Sequence, residues 1–367
     1  MAEVADIFRL HGPQYRSQYG TRMPSSHLRA MQDIENCRTP VLGGQLYLCP
    51  NCGKQHFSYH SCKNRHCPKC QNDQATEWLQ SQKHLLLPVI HFLVTFTFPE
   101  ELRSLARSNQ RILYNILFRA SSQALAKLAA DPKFLGAGLG MIGVLHTWTR
   151  DLRYHPHVHY VVTGGGLDSR GRWRCSKSDF LLPAKPLAII FRAKVRDQLR
   201  KAGLLNQLDR RLWSKQWVVD LRPVGPGQSA FKYLAPYIFR VAISNYRMVS
   251  LQDGKVTFKY RDRATNRTRL ATLTAEEFIR RFLQHILPRG FVKVRYYGLF
   301  SPSNRPLLEF ARKLLDAVTP RPNWLVAKHA ESDRSDFSLA HQPLRCSYCG
   351  ALLTLVGVLS PVHLQPP

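Results

Sequence analysis

The chain lacks the long apolar run that crossing a membrane requires. Its most apolar stretch, Leu85 to Phe98, is shorter than the roughly 20 residues of a membrane-spanning helix, and it contains Pro88 and His91. The N-terminal residues Met1 to Asp6 are acidic and have no apolar core, so the sequence predicts no signal peptide. We therefore expect a cytoplasmic protein with no membrane partner.

Other absences narrow the possible functions further. The sequence has no phosphate-binding loop of the G-x4-G-K-[ST] type, and hence no P-loop helicase of its own. It also has no internal repeat and no low-complexity block. Hydrophobic residues make up 44% of the 367 positions, which is enough to bury an apolar core, and this length predicts two or three domains.

Acidic residues are scarce. The chain has 24 Asp and Glu against 53 Lys and Arg, which gives a formal net charge of +29 at pH 7. So large an excess favours a polyanionic partner, and nucleic acid is the first choice. A ribosomal or membrane-surface protein is the alternative. The basic residues, however, are spread through folded-looking sequence rather than collected in one tail or helix.

Cysteine is concentrated near the N-terminus, where six of the nine residues lie between Cys37 and Cys70. In a reducing compartment, pairs with C-x2-C spacing favour zinc over disulfides. Two such pairs are separated by fourteen residues and together offer the four thiolates of a tetrahedral zinc ribbon. The sequence predicts one structural Zn²⁺ held by Cys49, Cys52, Cys67 and Cys70. Cys175 stands alone, and we expect a structural role for it.

The remaining cysteines leave room for further zinc sites. Four side chains of the same segment are candidates for a second site, namely Cys37, His60, Cys62 and His66. Cys37 is equally consistent with a buried apolar cysteine. Cys346-x2-Cys349, followed by glycine, looks like half of another zinc ribbon. Its missing ligands would be distant histidines such as His329 or His341.

Three histidines alternate in the segment Tyr154 to Val162, which reads YHPHVHYVV. The residues after them are β-branched and aromatic, so the segment is predicted to be a strand. Side chains two apart on a strand share a face, which places His157 and His159 together with His155 beside them. Because neutral imidazoles commonly bind divalent metals, we interpret the strand as two-thirds of a metal site. A histidine-rich surface strand is the alternative.

Two tyrosines follow at helical spacing. Tyr233 and Tyr237 are four residues apart and would share one face of a helix predicted near 229–241. Pro236 between them removes a helical hydrogen bond, so the helix either bends or begins near Ala235. Taken alone, such a pair indicates core packing more often than chemistry. Beside a histidine strand in a very basic chain, catalysis is the better interpretation.

Together these segments resemble the HUH endonucleases, in which a His-hydrophobic-His strand holds a metal next to tyrosine nucleophiles on a helix. The resemblance is closest to the two-tyrosine rolling-circle transposases of bacterial insertion sequences, of the insertion-sequence ninety-one type. Its motifs run in order over about residues 37 to 300. Besides YLAPY at 233–237 they are YHSCKNRHCPKCQ (59–71), VLHTW (144–148), His155 to Gly166, VAISN (241–245) and RYYGL (295–299).

The resemblance implies an α+β fold, with an HUH core of antiparallel sheet flanked by helices and an N-terminal module like a zinc ribbon. It also implies a metal-dependent nuclease and strand transferase in which Mg²⁺ or Mn²⁺ is bound by His157 and His159. The third ligand is open between His155, which we favour, Gln228 and His146. Tyr233 and Tyr237 would cut DNA and form 5′-phosphotyrosine links.

The partners implied are the single-stranded or hairpin ends of a mobile element, together with a host helicase, and the location implied is the bacterial nucleoid. We predict a zinc-binding recognition module over 1–86, a catalytic domain over 87–300 and a C-terminal appendage over 301–367. Within these, residues 1–20 are predicted to be irregular. Strands are predicted at 89–98, 141–149 and 156–163, and helices are predicted near 73–86 and 185–203.

Rival functions explain less of the sequence. A plasmid replication initiator or relaxase would share the nicking chemistry, but the order of the zinc module favours a transposase. A zinc-dependent DNA-binding regulator without catalysis leaves the histidine strand and the tyrosine pair without a role. A metal hydrolase accounts for the histidines alone and gives no reason for the charge of +29.

Overall fold

In a computed structural model, the described residues are 2–70, 82, 85, 87–226, 241–262, 265–318 and 344–362. Among them, no helix is both long and apolar enough to cross a membrane. The α-helices in chain order are α1 (Val4–Tyr19), α2 (Ser25–Asn36), α3 (Leu102–Ser108), α4 (Gln110–Ala130), α5 (Ala184–Lys201), α6 (Ala275–Leu283) and α7 (Arg305–Val318). The strands are β1 (Gly44–Leu48), β2 (Gln55–Tyr59), β3 (Ile90–Thr97), β4 (Gly138–Trp148), β5 (Tyr154–Leu167), β6 (Trp173–Cys175), β7 (Val219–Pro226), β8 (Met248–Gln252), β9 (Lys255–Arg261), β10 (Thr268–Thr274), β11 (Val294–Gly298) and β12 (Thr354–Leu359).

The largest sheet is antiparallel and has the strand order β11-β4-β5-β3-β7, with β6 paired to the end of β5. In β3, Phe92, Val94 and Phe96 alternate along the strand and are buried in the apolar core formed with α4 and α5. Burying one such side chain stabilises the fold by roughly 1.5–3 kcal/mol. This core fixes one face of the sheet, so the histidines of β5 point to the other face.

The histidine face of the sheet carries an apolar cluster of its own. Ile142 and Val161 pack there with Leu308 of α7. Val144 belongs to the same cluster and lies opposite His159 in the ladder between β4 and β5. The histidines are therefore adjacent to packed structure on this face, which holds their strands in a fixed register.

A second apolar core joins α1 and α2 to α6 and to the sheet β8-β9-β10. The prediction that residues 1–20 are irregular is wrong, because Ile7, Phe8 and Tyr15 form the buried side of α1. The ring of Phe8 meets that of Phe282 edge-on, with centroids 5.3 Å apart. A single helix of this length is marginal in water, so α1 depends on this tertiary packing.

Most predicted elements of the central sheet are confirmed within a few residues. The strands expected at 89–98, 141–149 and 156–163 correspond to β3, β4 and β5, and the helix expected at 185–203 corresponds to α5. The fold class is confirmed as α+β, with a central antiparallel sheet flanked by helices. The helices predicted near 73–86 and 229–241 lie almost entirely outside the described residues.

The C-terminal region is more regular than the predicted appendage. It contains α7, whose Leu308 and Leu315 are buried, and the strand β12. β12 pairs with β1 to form a small antiparallel sheet of order β12-β1-β2. A strand from the last part of the chain therefore belongs to the N-terminal module. The domain boundaries at residues 86 and 300 stay a prediction.

Candidate active site

Strand pairing brings three histidines to one face of the central sheet. His157 and His159 are two residues apart on β5, and His146 of β4 lies directly opposite His157. Residues opposite each other in an antiparallel pair point to the same face. One ring nitrogen from each of the three side chains lies within 4.8 Å of the others. The three imidazoles can therefore converge on a single cation.

The three rings meet at steep angles. The ring centroids of His157 and His159 are 4.7 Å apart with an interplanar angle of 89°. His146 lies 5.0 Å from His159 at 78° and 5.5 Å from His157 at 83°. Trp148 stacks on His146 at 4.7 Å, and His146 is only 3% exposed. Packing therefore fixes the third ring of the group from behind.

Hydrogen bonds orient the two histidines of β5. Nδ1 of His157 lies 2.7 Å from the carbonyl oxygen of His155. A carbonyl only accepts, so Nδ1 carries the proton and the lone pair of His157 is on Nε2. Nδ1 of His159 lies 2.9 Å from the hydroxyl of Thr95 on β3. Partners of this kind fix the ring orientation of metal-binding histidines in general.

The structure does not bring His155 into this group, so the predicted third ligand is corrected. A guanidinium nitrogen of Arg103 donates to Nδ1 of His155 at 3.0 Å. This bond engages a ring lone pair, and it places a permanent positive charge where a cation would bind. His146, one of the two alternatives, lies in the third position instead. The other alternative, Gln228, lies outside the described residues.

The predicted nucleophiles Tyr233 and Tyr237 also lie outside the described residues. Structure on both sides of their segment is described. β7 ends at Pro226 on the edge of the sheet, next to β3. After the segment, Ile243 is buried in the same apolar cluster as Leu152, which lies in the turn between β4 and β5. Pro226 pairs with the first residue of β3, whereas the histidines of β5 pair with the last residues of β3.

The cysteines form two groups of four, each with its sulfur atoms within 4.8 Å of one another. The first group is Cys37, Cys62, Cys67 and Cys70, and the second is Cys49, Cys52, Cys346 and Cys349. The prediction that Cys49, Cys52, Cys67 and Cys70 share one ion is corrected by this grouping. Cys49 and Cys52 lie in the turn between β1 and β2, and the other pair follows the opposite end of that hairpin. Its five-residue strands separate the two ends by roughly 16 Å.

Of the four residues predicted to form a second zinc site, only the two cysteines belong to one of these groups. Cys37 and Cys62 belong to the first group, whereas His60 and His66 belong to neither. The side chain of His60 is exposed. Nε2 of His66 accepts a hydrogen bond of 3.2 Å from the backbone N–H of Leu287. Burial lowers the pKa of His66 well below its ordinary value, which keeps the ring neutral and able to accept this bond.

Positive charge surrounds the histidine end of the sheet. Arg103 contacts His155, and the guanidinium of Arg247 donates to the carbonyl of Arg150 in the turn between β4 and β5. The amino group of Lys293 lies 5.3 Å from the ring centre of Trp148. Burial lowers the pKa of Lys293 to about 7, so this lysine is only partly charged at neutral pH and the two arginines supply most of the positive charge. The surroundings of the three histidines therefore suit an anionic ligand such as a phosphodiester.

Comparison with known proteins decides the family. Residues 140–306 match the family described as "Putative transposase", and residues 7–98 match the "Transposase zinc-binding domain". The chain is 38% identical to "Putative transposase y4qJ" of Sinorhizobium fredii (strain NBRC 101917 / NGR234), over 96% of this chain and 94% of that protein. The chain belongs to the insertion-sequence transposases of the IS91 type.

A second relative agrees. The transposase is 28% identical to the "Transposase for insertion sequence element IS801" of Pseudomonas savastanoi pv. phaseolicola, over 90% of this chain and 83% of that protein. No solved structure matches it significantly. Membership of this family implies DNA as a partner and an endonuclease or strand-transfer activity. The zinc-binding domain and the two groups of thiols support structural Zn²⁺.

Proposed function

We propose that the transposase nicks and rejoins single-stranded DNA at the ends of its mobile element through a 5′-phosphotyrosine intermediate. The observation that carries the proposal is the convergence of His146, His157 and His159 on one face of the sheet. Strands β3 and β7 lie beside them, and the tyrosine segment follows β7 in sequence. A transposase needs a site for phosphodiester chemistry, and this group offers one.

The three imidazoles fit a divalent cation. Their nitrogens are close enough to share one ion, and the lone pair of His157 is on Nε2. Bound there, a cation would neutralise charge on the non-bridging oxygens of the scissile phosphate and make phosphorus more electrophilic. Of the two predicted ions, Mn²⁺ suits three imidazoles without a carboxylate better than Mg²⁺ does, because Mg²⁺ prefers oxygen ligands.

The tyrosines supply the covalent step. The Oη atom of Tyr233 or Tyr237 attacks phosphorus in line, so a Tyr Oη–P bond forms and the bond from phosphorus to the 3′ oxygen breaks. The tyrosine loses its proton, and the leaving 3′ oxygen gains one. Rejoining is the reverse step, with the 3′-hydroxyl of another strand displacing the tyrosine. The energy of the phosphodiester is kept in the covalent link, so strand transfer needs no ATP.

The tyrosine pair supplies the nucleophile in this proposal. The resemblance to the two-tyrosine transposases assigns that role to Tyr233 and Tyr237, and membership of the transposase family supports it. Their segment follows β7, whose first residues pair with β3 beside the histidines of β5. We expect the tyrosine hydroxyl groups to reach the phosphate held at the histidines.

We assign recognition of the element's end to the zinc-binding module and catalysis to the domain around the central sheet. The net charge of +29 supplies affinity for the phosphate backbone. Single strands or hairpins are the expected substrates, because a flexible strand can bend its phosphate into the site. A host helicase is the expected source of single-stranded DNA.

Covalent capture of DNA tests the proposal. An oligonucleotide with the sequence of the element's end is labelled at its 3′ terminus in one experiment and at its 5′ terminus in another. After incubation with Mn²⁺ or Mg²⁺, we expect the 3′ label on an SDS-resistant protein adduct and the 5′ label on a shorter strand ending in a 3′-hydroxyl. Tight binding without any adduct would indicate a non-catalytic DNA-binding regulator instead.

A further inference from the structure

Two cysteine pairs from opposite ends of the transposase face each other. Sγ of Cys49 lies 3.4 Å from Sγ of Cys349, and Sγ of Cys52 lies 3.6 Å from Sγ of Cys346. A disulfide has an S–S distance near 2.05 Å, so these are four separate thiols. The match to the zinc-binding family ends at residue 98, and the match to the transposase family ends at residue 306. Neither match includes Cys346 and Cys349.

Both pairs are built as the same knuckle. The N–H of Gly53 donates to the carbonyl of Cys49 at 2.9 Å, and the N–H of Gly350 donates to the carbonyl of Cys346 at 2.9 Å. Both glycines have positive φ, +70° at Gly53 and +76° at Gly350. Residues that carry a side chain rarely adopt a positive φ. Glycine at this position therefore lets each turn close and bring its two sulfurs to one side.

Strand pairing holds the two knuckles together. β1 ends at Leu48, immediately before the first knuckle, and it pairs with β12 from Gly44 opposite Leu359 to Leu48 opposite Thr354. The second knuckle immediately precedes the strand region of β12. Across the contact, the amino group of Lys54 lies 3.4 Å from the ring centre of Tyr348. The two knuckles are therefore docked by a backbone ladder and by side chains, as well as by their thiols.

The chemistry of this group is that of a closed zinc site. Tetrahedral Zn²⁺ with Zn–S bonds of about 2.3 Å requires sulfurs about 3.8 Å apart. The four sulfurs lie within 4.8 Å of one another, and the two closest cross-pairs are at 3.4 and 3.6 Å. Nε2 of His56 lies 3.2 Å from Sγ of Cys346, where a ring N–H can stabilise a thiolate.

We propose that Cys49, Cys52, Cys346 and Cys349 bind a second structural Zn²⁺, which ties the C-terminal segment to the N-terminal zinc-binding module. The ion would join Cys49 to Cys349, which are 300 residues apart in sequence, and the catalytic domain lies between them. The recognition module then contains residues from both sides of the catalytic domain. Truncation after α7 would leave it with one incomplete zinc site. This proposal is independent of the nicking chemistry.

Zinc content of double variants tests whether the two pairs share one ion. The unaltered transposase is expected to contain two Zn²⁺ per chain. Cys49→Ser with Cys52→Ser should contain one, and Cys346→Ser with Cys349→Ser should also contain one. The quadruple variant should still contain one, because all four residues serve the same ion. Cys175→Ser alters an exposed cysteine outside both groups and should retain two.

Alkylation of the unaltered protein gives a test that does not depend on how variants fold. Cys52, Cys349 and Cys175 are all exposed, so without zinc all three should react quickly with iodoacetamide. We expect Cys175 to react at once, while Cys52 and Cys349 react only after a chelator removes zinc, and then together. Rapid reaction of Cys349 before chelation, or loss of both ions in the quadruple variant, would overturn the proposal.

Discussion

In the proposed metal site, the choice of ligands depends on individual side chains and on which atom of each ring carries the proton. His155 and His157 have similar neighbours in sequence. Arg103 donates to the ring of His155, whereas the carbonyl of His155 accepts from Nδ1 of His157. The alternating sequence could not distinguish these two environments, because Arg103 comes from α3. His146 was visible in sequence only as an alternative, since its place opposite His157 depends on the register of β4.

We predict that His146→Ala, His157→Ala and His159→Ala each reduce nicking by at least 100-fold (a loss of at least about 2.7 kcal/mol in transition-state stabilisation). The affinity for single-stranded DNA should change little, because it comes from many Lys and Arg contacts. His155→Ala, which removes a histidine of the same strand outside the group, is the matched control and should keep most of the activity. Nicking rates and binding isotherms on one oligonucleotide measure both quantities. If His155→Ala is as inactive as His146→Ala, the assignment of the third ligand is wrong.

A buried histidine makes stability depend on pH. His91 is fully buried on β3, its Nδ1–H donates to the carbonyl of Val89 at 2.9 Å, and burial lowers its pKa to about 4. The unfolded chain has an ordinary histidine pKa near 6.5. Between pH 6.5 and about 4 the unfolded state therefore binds the extra proton, so the free energy of unfolding falls as the pH is lowered. This residue accounts for roughly 3 kcal/mol of that loss at most.

We expect His91→Leu to reduce the dependence of the unfolding free energy on pH between 6.5 and 4. His60→Leu, at an exposed histidine, controls for the removal of a histidine as such. Urea unfolding at a series of pH values measures the slope for the three proteins. A slope that is the same in His91→Leu and in the unaltered protein would contradict the burial of a neutral ring at this position.

Among the helices and strands, the sequence predicted those in which one type of residue recurs at a regular spacing. β3 alternates between aromatic and smaller residues, and β5 alternates its histidines, so both strands could be predicted. α1 could not, because its apolar residues lie among many polar ones and form a buried stripe through their packing against elements distant in sequence, α6 among them. The predicted grouping of the cysteines into zinc sites also differs from the structure, because closeness in sequence suggested that Cys49 and Cys67 share a site. Their true neighbours depend on a hairpin and on a strand some 300 residues away.

The docking of α1 is open to a direct test. Phe8 is fully buried against Phe282, whereas Leu10 on the same helix is 67% exposed. Phe8→Ala should lower the free energy of unfolding by roughly 3–5 kcal/mol, since it removes a buried aromatic side chain and leaves a cavity. Leu10→Ala should change it by less than about 0.5 kcal/mol. Denaturant unfolding measures both values, and equal effects would mean that α1 is not docked through Phe8.

At the scale of the whole molecule, the excess of positive charge sets how the transposase binds DNA. Each phosphate neutralised on a single strand contributes about 0.7 to the slope of log affinity against log salt. If six or more phosphates are contacted, the slope should have a magnitude of about 4 or more. Affinity for a single-stranded element end should therefore fall steeply between low and physiological salt. A nearly flat response, or a clear preference for intact duplex, would contradict the proposed substrate.

Two tyrosines are expected to be needed for the complete strand-transfer reaction, which requires a second cut while the first DNA end is still attached. With one nucleophile, a covalently held 5′ end occupies the only group able to make the next cut. A second hydroxyl nearby can cleave a new site while the first end stays attached. Each tyrosine alone should therefore allow some cleavage, and both together should be needed for efficient strand transfer.

Covalent adduct and strand-transfer yield therefore test the central claim most directly. They are measured on one element-end oligonucleotide for the unaltered transposase, Tyr233→Phe, Tyr237→Phe and the double variant. We predict no adduct with the double variant and impaired strand transfer with each single variant, in proteins that unfold in denaturant as the unaltered protein does. If the double variant still forms an adduct, the nucleophile lies elsewhere, with the exposed Tyr246 the next candidate. If one single variant transfers strands as well as the unaltered protein, the account of two nucleophiles is contradicted.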